Sequence, residues 1–543
     1  MKKFSISGNI VDPVGERIFP GTLFIQDGVI TEIREEMTGE SRYILPGLID
    51  AHIHIESSML IPSEFARAAV IHGTVATVSD PHEIANVLGT EGVRFMIRNG
   101  KKVPFHFYFG APSCVPATPF ETAGGNLGVE ETEELLQMDE IWYLSEMMNV
   151  PGVLFKDPAV MAKLDLARKY GKPVDGHAPG VTGKQASEYY AAGISTDHEC
   201  FTLEEAVDKI RRGMHILIRE GSAARNFETL CPLINEYPDQ VMFCSDDKHP
   251  DDLLRGHMNE LVKRSIRKGF NPLKVIRCCT LNPARHYHLD TGMLQKGDPA
   301  DLILVDTLEN FNVNATYIRG EKVAENGKSL IAGIDEEPVN QFNAHPVTEK
   351  DFYIEDHPGN IRVIQALDGQ LITKEIQTKP RIVNDEMTND TKRDILKIVV
   401  INRYKDALPA KGFITGFGLK HGAIASSVAH DSHNVIAIGA DDKSLTNAVN
   451  LVIKNKGGIA VVNGNDSEIL PLPVAGIMST RDVFTVARMY ENLDQKAKEL
   501  GCPLKSPFMT MSFMALLVIP ELKLSDKGLF DGRKFELTTL CTE

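Results

Sequence analysis

His52 and His54 stand one residue apart at the end of an apolar run, LPGLIDAHIHIESSML, residues 45–60. In an extended strand alternate side chains share a face, so the two imidazoles aim at one point, an arrangement that suits a metal ion. By itself the pair is also what the polar face of a half-exposed strand looks like. Further imidazoles and carboxylates close other short apolar segments: Asp80 followed by His82 and Glu83, Glu146, Asp175 and His177, Asp197 with His198 and Glu199, and Asp246 with Asp247. A donor set of this kind, without thiolates, suits Mn, Fe or Zn, and ligand chemistry alone does not choose among them.

Such residues can act together only if the fold collects the segment ends. Between residues 46 and 296, eight strand-like runs (GLIDAHIH, TVATVSD, FHFYFG, IWYLSE, KPVDGH, GISTDHE, MHILIRE and VMFCSDD) alternate with helical stretches such as PSEFARAAVIHG, DPAVMAKLDLARKYG and TLEEAVDKIRRG. The helical stretches carry apolar residues at three- and four-residue spacing, and several end at glycine. Eight strand–helix units fit an α/β fold of the (β/α)8 TIM-like barrel type, although an open doubly wound sheet shares the alternation. In a barrel the chemistry gathers at the C-terminal strand ends. His52, His54, Glu146, His177, His198 and Asp246 then face one another as six candidate metal ligands. His52, His54 and Asp246 would hold one ion and His177 and His198 a second, with Glu146 and a water between them. Two cations that close make a bound water acidic enough to supply hydroxide at neutral pH. Asp246, at once ligand and hydrogen-bond acceptor, is the candidate base, and the expected chemistry is hydrolysis.

The flanks read differently. FSISGNIVD, GTLFIQDGVITEI and SRYILPG alternate as short strands, and a similar run returns at residues 297–328. This predicts a small composite β-sheet domain from residues 1–45 plus 297–340 around a barrel of 46–296. From residue 345 to 543 strands and helices alternate again, which predicts a separate, additional C-terminal α/β domain. SVAHDSHN places His430, Asp431 and His433 in a turn before a strand, where they could cover the site, bind an extra ion or simply stabilise the turn.

A formal net charge of -16 disfavours nucleic acid and anionic membrane as partners, since both would be repelled. The longest apolar stretch, MSFMALLVIP, is far shorter than a membrane span requires. MKKFSISGNIVDP lacks the apolar core of a secretory signal. Eight cysteines without paired spacing suggest buried free thiols, and a cytoplasmic protein is expected.

The segments PGLIDAHIHIESSM, SDPHEIANVLG, SEMMNVPGV, DGHAPG, IREGSAARN, SDD, SVAHDSHN and LPLPVAGIMS together resemble the amidohydrolase superfamily, and within it the bacterial adenine deaminase family. That resemblance runs through the barrel and the C-terminal region. It implies hydrolytic removal of the 6-amino group of adenine to give hypoxanthine and ammonia, a step of purine metabolism. The implied cofactor is a pair of divalent ions, Mn2+ or Fe2+ ahead of Zn2+. Many superfamily members bridge their metals with a carboxylated lysine. Here Glu146 stands at that place and Lys156 lies too far along, so a glutamate bridge is expected. N1 of the purine needs a proton, for which Glu146, Glu56 or the pair His82 and Glu83 are candidates. Glu56, Asp80, His82, Glu83, Arg219, Glu220, His430 and His433 are the further residues expected to line the pocket or support the ligands, with Arg219 and Glu220 placed to meet the purine edge or each other. The expected partners are a small-molecule substrate, water and a second copy of the chain. The rival reading is a cyclic amide hydrolase of the same superfamily, resembling dihydroorotase or hydantoinase. It would use the same metals and Asp246 but calls for the bridging lysine. The nucleobase deaminases of the other zinc fold use a His-x-Glu and Cys-x-x-Cys signature that is absent here.

Overall fold

A computed structural model describes residues 3–542. The ends of the expected first and third domains, residues 1, 2 and 543, lie outside that range. Eight strands form the central unit: Leu48–Ile53, Thr74–Ser79, His106–Ala111, Ile141–Met147, Val174–Gly176, Thr196–Asp197, His215–Arg219 and Val241–Cys244. They are called here the first to eighth barrel strands. The first five form one parallel arc paired in sequence order, and the last three form another. The two arcs join through Ser195 N–H to Val174 O at 3.0 Å and through Asp246 N–H to His52 O at 3.0 Å. The ring is closed, so the barrel reading holds and the open sheet does not.

The strand residues are nearly all buried, which is why they read as continuous apolar runs rather than alternating ones. Ala51, Val78, Tyr143, Leu217, Met242 and Cys244 fill the interior with Tyr287. The polar residues inside are tied down: Tyr287 and Thr196 hydroxyls both donate to Asp175 Oδ1 at 2.8 Å. Outside, helix Pro158–Lys169 starts at an Asp157 cap and Leu203–Ile210 at a Thr202 cap, each accepting from free backbone N–H groups of the first turn.

An eight-stranded sheet precedes and follows the barrel in sequence. Tyr43–Pro46, just before the first barrel strand, pairs antiparallel with Leu302–Val305 and parallel with Lys3–Asp12. The chain passes from sheet to barrel at Gly47, where a Cβ would lie 2.3 Å from Val75 Cγ2, so no larger residue fits the crossing.

The C-terminal region is richer in strands than the expected α/β alternation. Its eight-stranded sheet is antiparallel except where Ile361–Gln365 lies beside Ala410–Thr415. Neighbours such as Ala423–Ser426 and Val435–Gly439 are joined by a turn rather than a crossover helix, and that connection enforces antiparallel pairing. Helices Asp442–Lys454 and Val483–Glu499 pack on the sheet. Nor does it stand apart. Ile61 and Phe65 of the barrel side share one apolar core with Val483, Val486 and Phe508, and Ser479 N–H donates to Met59 O at 2.8 Å.

The turn between Ala423–Ser426 and Val435–Gly439 reaches the barrel mouth and is held from behind by Arg403. That fully buried guanidinium donates to His433 O at 3.2 Å, Ala475 O at 2.9 Å, Gln341 O at 3.0 Å and Asn340 Oδ1 at 2.8 Å. Gly476, at φ 68°, lets the chain pass it; a Cβ there would lie 2.5 Å from Arg403 Nη1. Gly476→Ala is therefore expected to destabilise the protein by about 1–3 kcal/mol from backbone strain alone. A lowered urea midpoint measures this, and an unchanged midpoint would remove Arg403 and Gly476 as the brace of the turn.

Candidate metal centre

Strand alternation at the end of the first barrel strand brings His52 Nε2 and His54 Nε2 to 3.3 Å of each other. The eighth strand runs beside the first and ends just before Asp246, whose Oδ1 stands 3.2 Å from His54 Nε2 and 3.7 Å from His52 Nε2. Glu146, in the fourth strand, spans the rest. Its Oε1 is 3.4 Å from His54 Nε2, while Oε2 is 2.9 Å from His177 Nδ1 and 3.1 Å from His198 Nε2. All six expected ligands are buried and converge on one another.

Four imidazoles and two carboxylates, meeting through nitrogens and oxygens of which two ring nitrogens face each other, form a donor set that fits two divalent ions. The His54 ring is oriented from behind, its Nδ1 3.1 Å from the Asp80 carbonyl, which leaves Nε2 for the centre. His52 Nδ1 faces Asp175 Oδ2 at 3.8 Å, a charge contact beyond hydrogen-bond distance.

The electrostatics of the ion-free cluster are those of stacked opposite charges. Burial alone would raise the Glu146 carboxyl, but His177 and His198 hold it well below the carboxylate range. Burial likewise opposes ionisation of Asp246, and Arg219, His54 and His198 hold it well below that range. Burial works against charge on His177, yet the carboxylates of Glu199 and Glu146 raise its pKa to about 9.

The other expected residues divide. Asp80 accepts from the His82 ring at 3.0 Å, and His82 Nδ1 lies 3.5 Å from Glu146 Oε1. Glu83 is held between His430 Nδ1 and His433 Nε2, so the C-terminal turn does reach the barrel mouth. Glu56 sits behind, accepting from Ile84 N–H at 3.2 Å, and burial pushes its carboxyl up to about 7. Arg219 lines the pocket, but its guanidinium is paired with Glu199 and, at 2.6 Å, with Asp246, rather than presented to a purine edge. Glu220, expected at the pocket, instead points away to Arg264 Nη1 at 2.6 Å and does not line it. Strand alternation is the reason, since Arg219 and Glu220 must face opposite ways.

Three further acidic residues, Glu199, Asp247 and Asp431, line the pocket beyond the expected set. Glu199 Oε1 is 3.7 Å from His198 Nε2 and 3.8 Å from His177 Nδ1, and Asp431 stands near His82 and Glu83. Glu199 and Asp431 each follow a candidate histidine directly in sequence, which was the available signal. Leu371, Phe513, Leu516 and Val518 of the C-terminal region make the apolar roof.

Residues 43–323 match the amidohydrolase family, the class of barrel hydrolase that a closed (β/α)8 ring with this donor set defines. Residues 370–536 match the adenine deaminase C-terminal domain. The chain is 53% identical to an adenine deaminase of Salinibacter ruber over 98% of both chains and 53% identical to one of Methanosarcina mazei over the whole of both. A Borreliella burgdorferi adenine deaminase is 47% identical over 98% of this chain and 99% of its own length. The chain belongs to the adenine deaminase family of the amidohydrolases.

A protonated His177 cannot ligate, so loading the ion-free protein with Mn2+ is expected to release protons below pH 9, and affinity is expected to weaken as pH falls. Titration of Mn2+ into weakly buffered protein at pH 7 and at pH 9 checks the sign; equal proton release and equal affinity at both would place His177 outside the donor set.

Proposed function

We propose that the chain hydrolyses adenine to hypoxanthine and ammonia at a centre of two divalent ions, Mn2+ or Fe2+ in preference to Zn2+. The observation that carries this reading is the full-length similarity, at 53% identity, to proteins named adenine deaminase. His52, His54 and Asp246 would hold one ion and His177 and His198 the other, with Glu146 shared. The bound pair would acidify a water molecule and so supply the nucleophile for C6.

The remaining work falls to side chains. Arg219, 2.6 Å from Asp246 Oδ2, keeps that carboxylate ionised, so its other oxygen can accept the proton of the attacking water. A carboxylate so stabilised is a weak base and passes the proton on readily to the departing amine. For the proton at N1, His82 and Glu83 are the assigned pair, because they line the pocket whereas Glu56 does not. The apolar roof of Leu371, Phe513, Leu516 and Val518 keeps bulk water from the ring.

The domain division that goes with this reading is a small sheet domain of residues 1–45 plus 297–340, the barrel at 46–296 and a C-terminal domain at 345–543. The sheet composition supports it. A reducing, cytoplasmic setting is supported by eight free cysteines, and among the described residues no helix is long and apolar enough to cross a membrane.

Purified protein loaded separately with manganese, iron or zinc is expected to release ammonia from adenine and not from cytosine, with dihydroorotate left unopened. Ring opening of dihydroorotate with silence on adenine would overturn the substrate. Asp246→Asn is expected to lower the rate by at least ~10²-fold, the scale of an essential acid–base group. Full activity of that variant would remove Asp246 as the base.

A further inference from the structure

Asp431 is a buried charged residue that the fold itself does not use. It is 3% exposed, its Oδ2 has no hydrogen-bond partner, and the nearest imidazole nitrogen, His430 Nδ1, is 3.9 Å from Oδ1. Of the carboxylates around it, Asp80 is engaged by His82, Glu83 by His430 and His433, and Glu199 and Asp246 by Arg219, while the buried Glu121 is held by Thr118 through Oε1 alone and offers Asp431 no positive partner. An unpaired buried carboxylate opposes folding, so a group left in that condition points to a partner that arrives later.

Its surroundings say what that partner is. Asp431 lines the metal pocket, with an oxygen within 4.8 Å of ligand atoms of His82 and Glu83. His82 in turn is 3.5 Å from Glu146, the carboxylate at the middle of the cluster. Asp431 thus stands at the flank of the reacting centre, beneath the apolar roof and beside His430, which is taken up by Glu83. A flat purine between that roof and the metal floor has hydrogen-bond donors only in its own plane, at the 6-amino group and at the imidazole N–H. The amino group is attached to the carbon under attack, so it lies beside the centre, whereas the imidazole N–H of the 9H tautomer, the main form of free adenine, lies across the ring.

We propose that Asp431, delivered by the C-terminal region, accepts a hydrogen bond from the 6-amino N–H of the substrate and so holds the leaving group in place. The assignment rests on the reading of the chain as an adenine deaminase. It also gives the C-terminal region a part in substrate selection: a carboxylate at that position favours an amine on C6 over a substituent that cannot donate.

The test compares adenine with 6-chloropurine, which keeps the ring and loses the donor, in the metal-loaded full chain and in Asp431→Ala and Asp431→Asn. For adenine, kcat/KM is expected to fall about 10- to 100-fold in Asp431→Ala, the range of one charge-assisted hydrogen bond, with 6-chloropurine held within about threefold. If 6-chloropurine is not turned over, its inhibition constant against adenine serves instead. Asp431→Asn keeps an oxygen acceptor and is expected to recover part of the loss. Because the fold makes no bond to Oδ2, neither variant is expected to lower the thermal midpoint or the metal content.

Equal losses on both purines would overturn the proposal, since that is the pattern of a group acting on the ring. A lowered midpoint in both variants would mark a structural role. Three ions per chain in the unaltered protein, falling to two in Asp431→Ala, would make His82, Glu83 and Asp431 a metal site instead. Absence of ammonia release from adenine by the unaltered, metal-loaded protein would defeat the functional reading itself, and is told apart because it needs no variant.

Discussion

The Glu146 carboxylate is the interaction on which the rest of the site depends. Four imidazoles buried at one end of a barrel repel one another once any is protonated and compete for protons otherwise. A carboxylate with one oxygen 3.4 Å from His54 and the other 2.9 Å from His177 ties both halves together. In the closed ring the fourth strand places Glu146 between residues from the first strand and residues from the fifth and sixth. Ring closure is therefore a condition of the chemistry and not a background to it, and the backbone bond from Asp246 N–H to His52 O holds the eighth-strand carboxylate beside the first-strand histidines.

Charge compensation continues outward in layers. Arg219 pairs with both Asp246 and Glu199, Asp80 orients His82, and the carbonyl of Asp80 orients His54. Buried charges of this density are tolerable only when each has a partner with good geometry, since removing one member strands another in a medium of low polarity. Divalent ions in the centre would complete the compensation, which is why the donor set and the raised proton affinity of His52, His54 and His177 are two views of one property.

The C-terminal region closes this arrangement from above. Glu83, on the barrel, is gripped by two histidines of a turn that Arg403 holds from behind, and the apolar roof comes from the same region. A shared apolar core makes the two parts one body, so the roof and the metal floor keep a fixed spacing. The pocket belongs to neither part alone.

Much of this is legible in residue order. The eight strand-like runs, the imidazoles and carboxylates at their ends and the return of a β segment near residue 297 are local patterns, because a strand's periodicity and a turn's composition are set by neighbours in the chain. Residue order also carries the motifs that mark the family. What it does not carry is which side of a strand end faces inward across a long sequence gap. Arg219 and Glu220 are adjacent, and the tertiary structure alone sends one to Asp246 and the other to Arg264. Asp431 and Glu83 are separated by most of the chain, and their meeting depends on a sheet whose antiparallel turns point into the barrel mouth. Local chemistry names the groups; long-range packing decides which of them remain unpaired, and in a buried site that difference separates a residue that holds the fold from one that waits for a ligand.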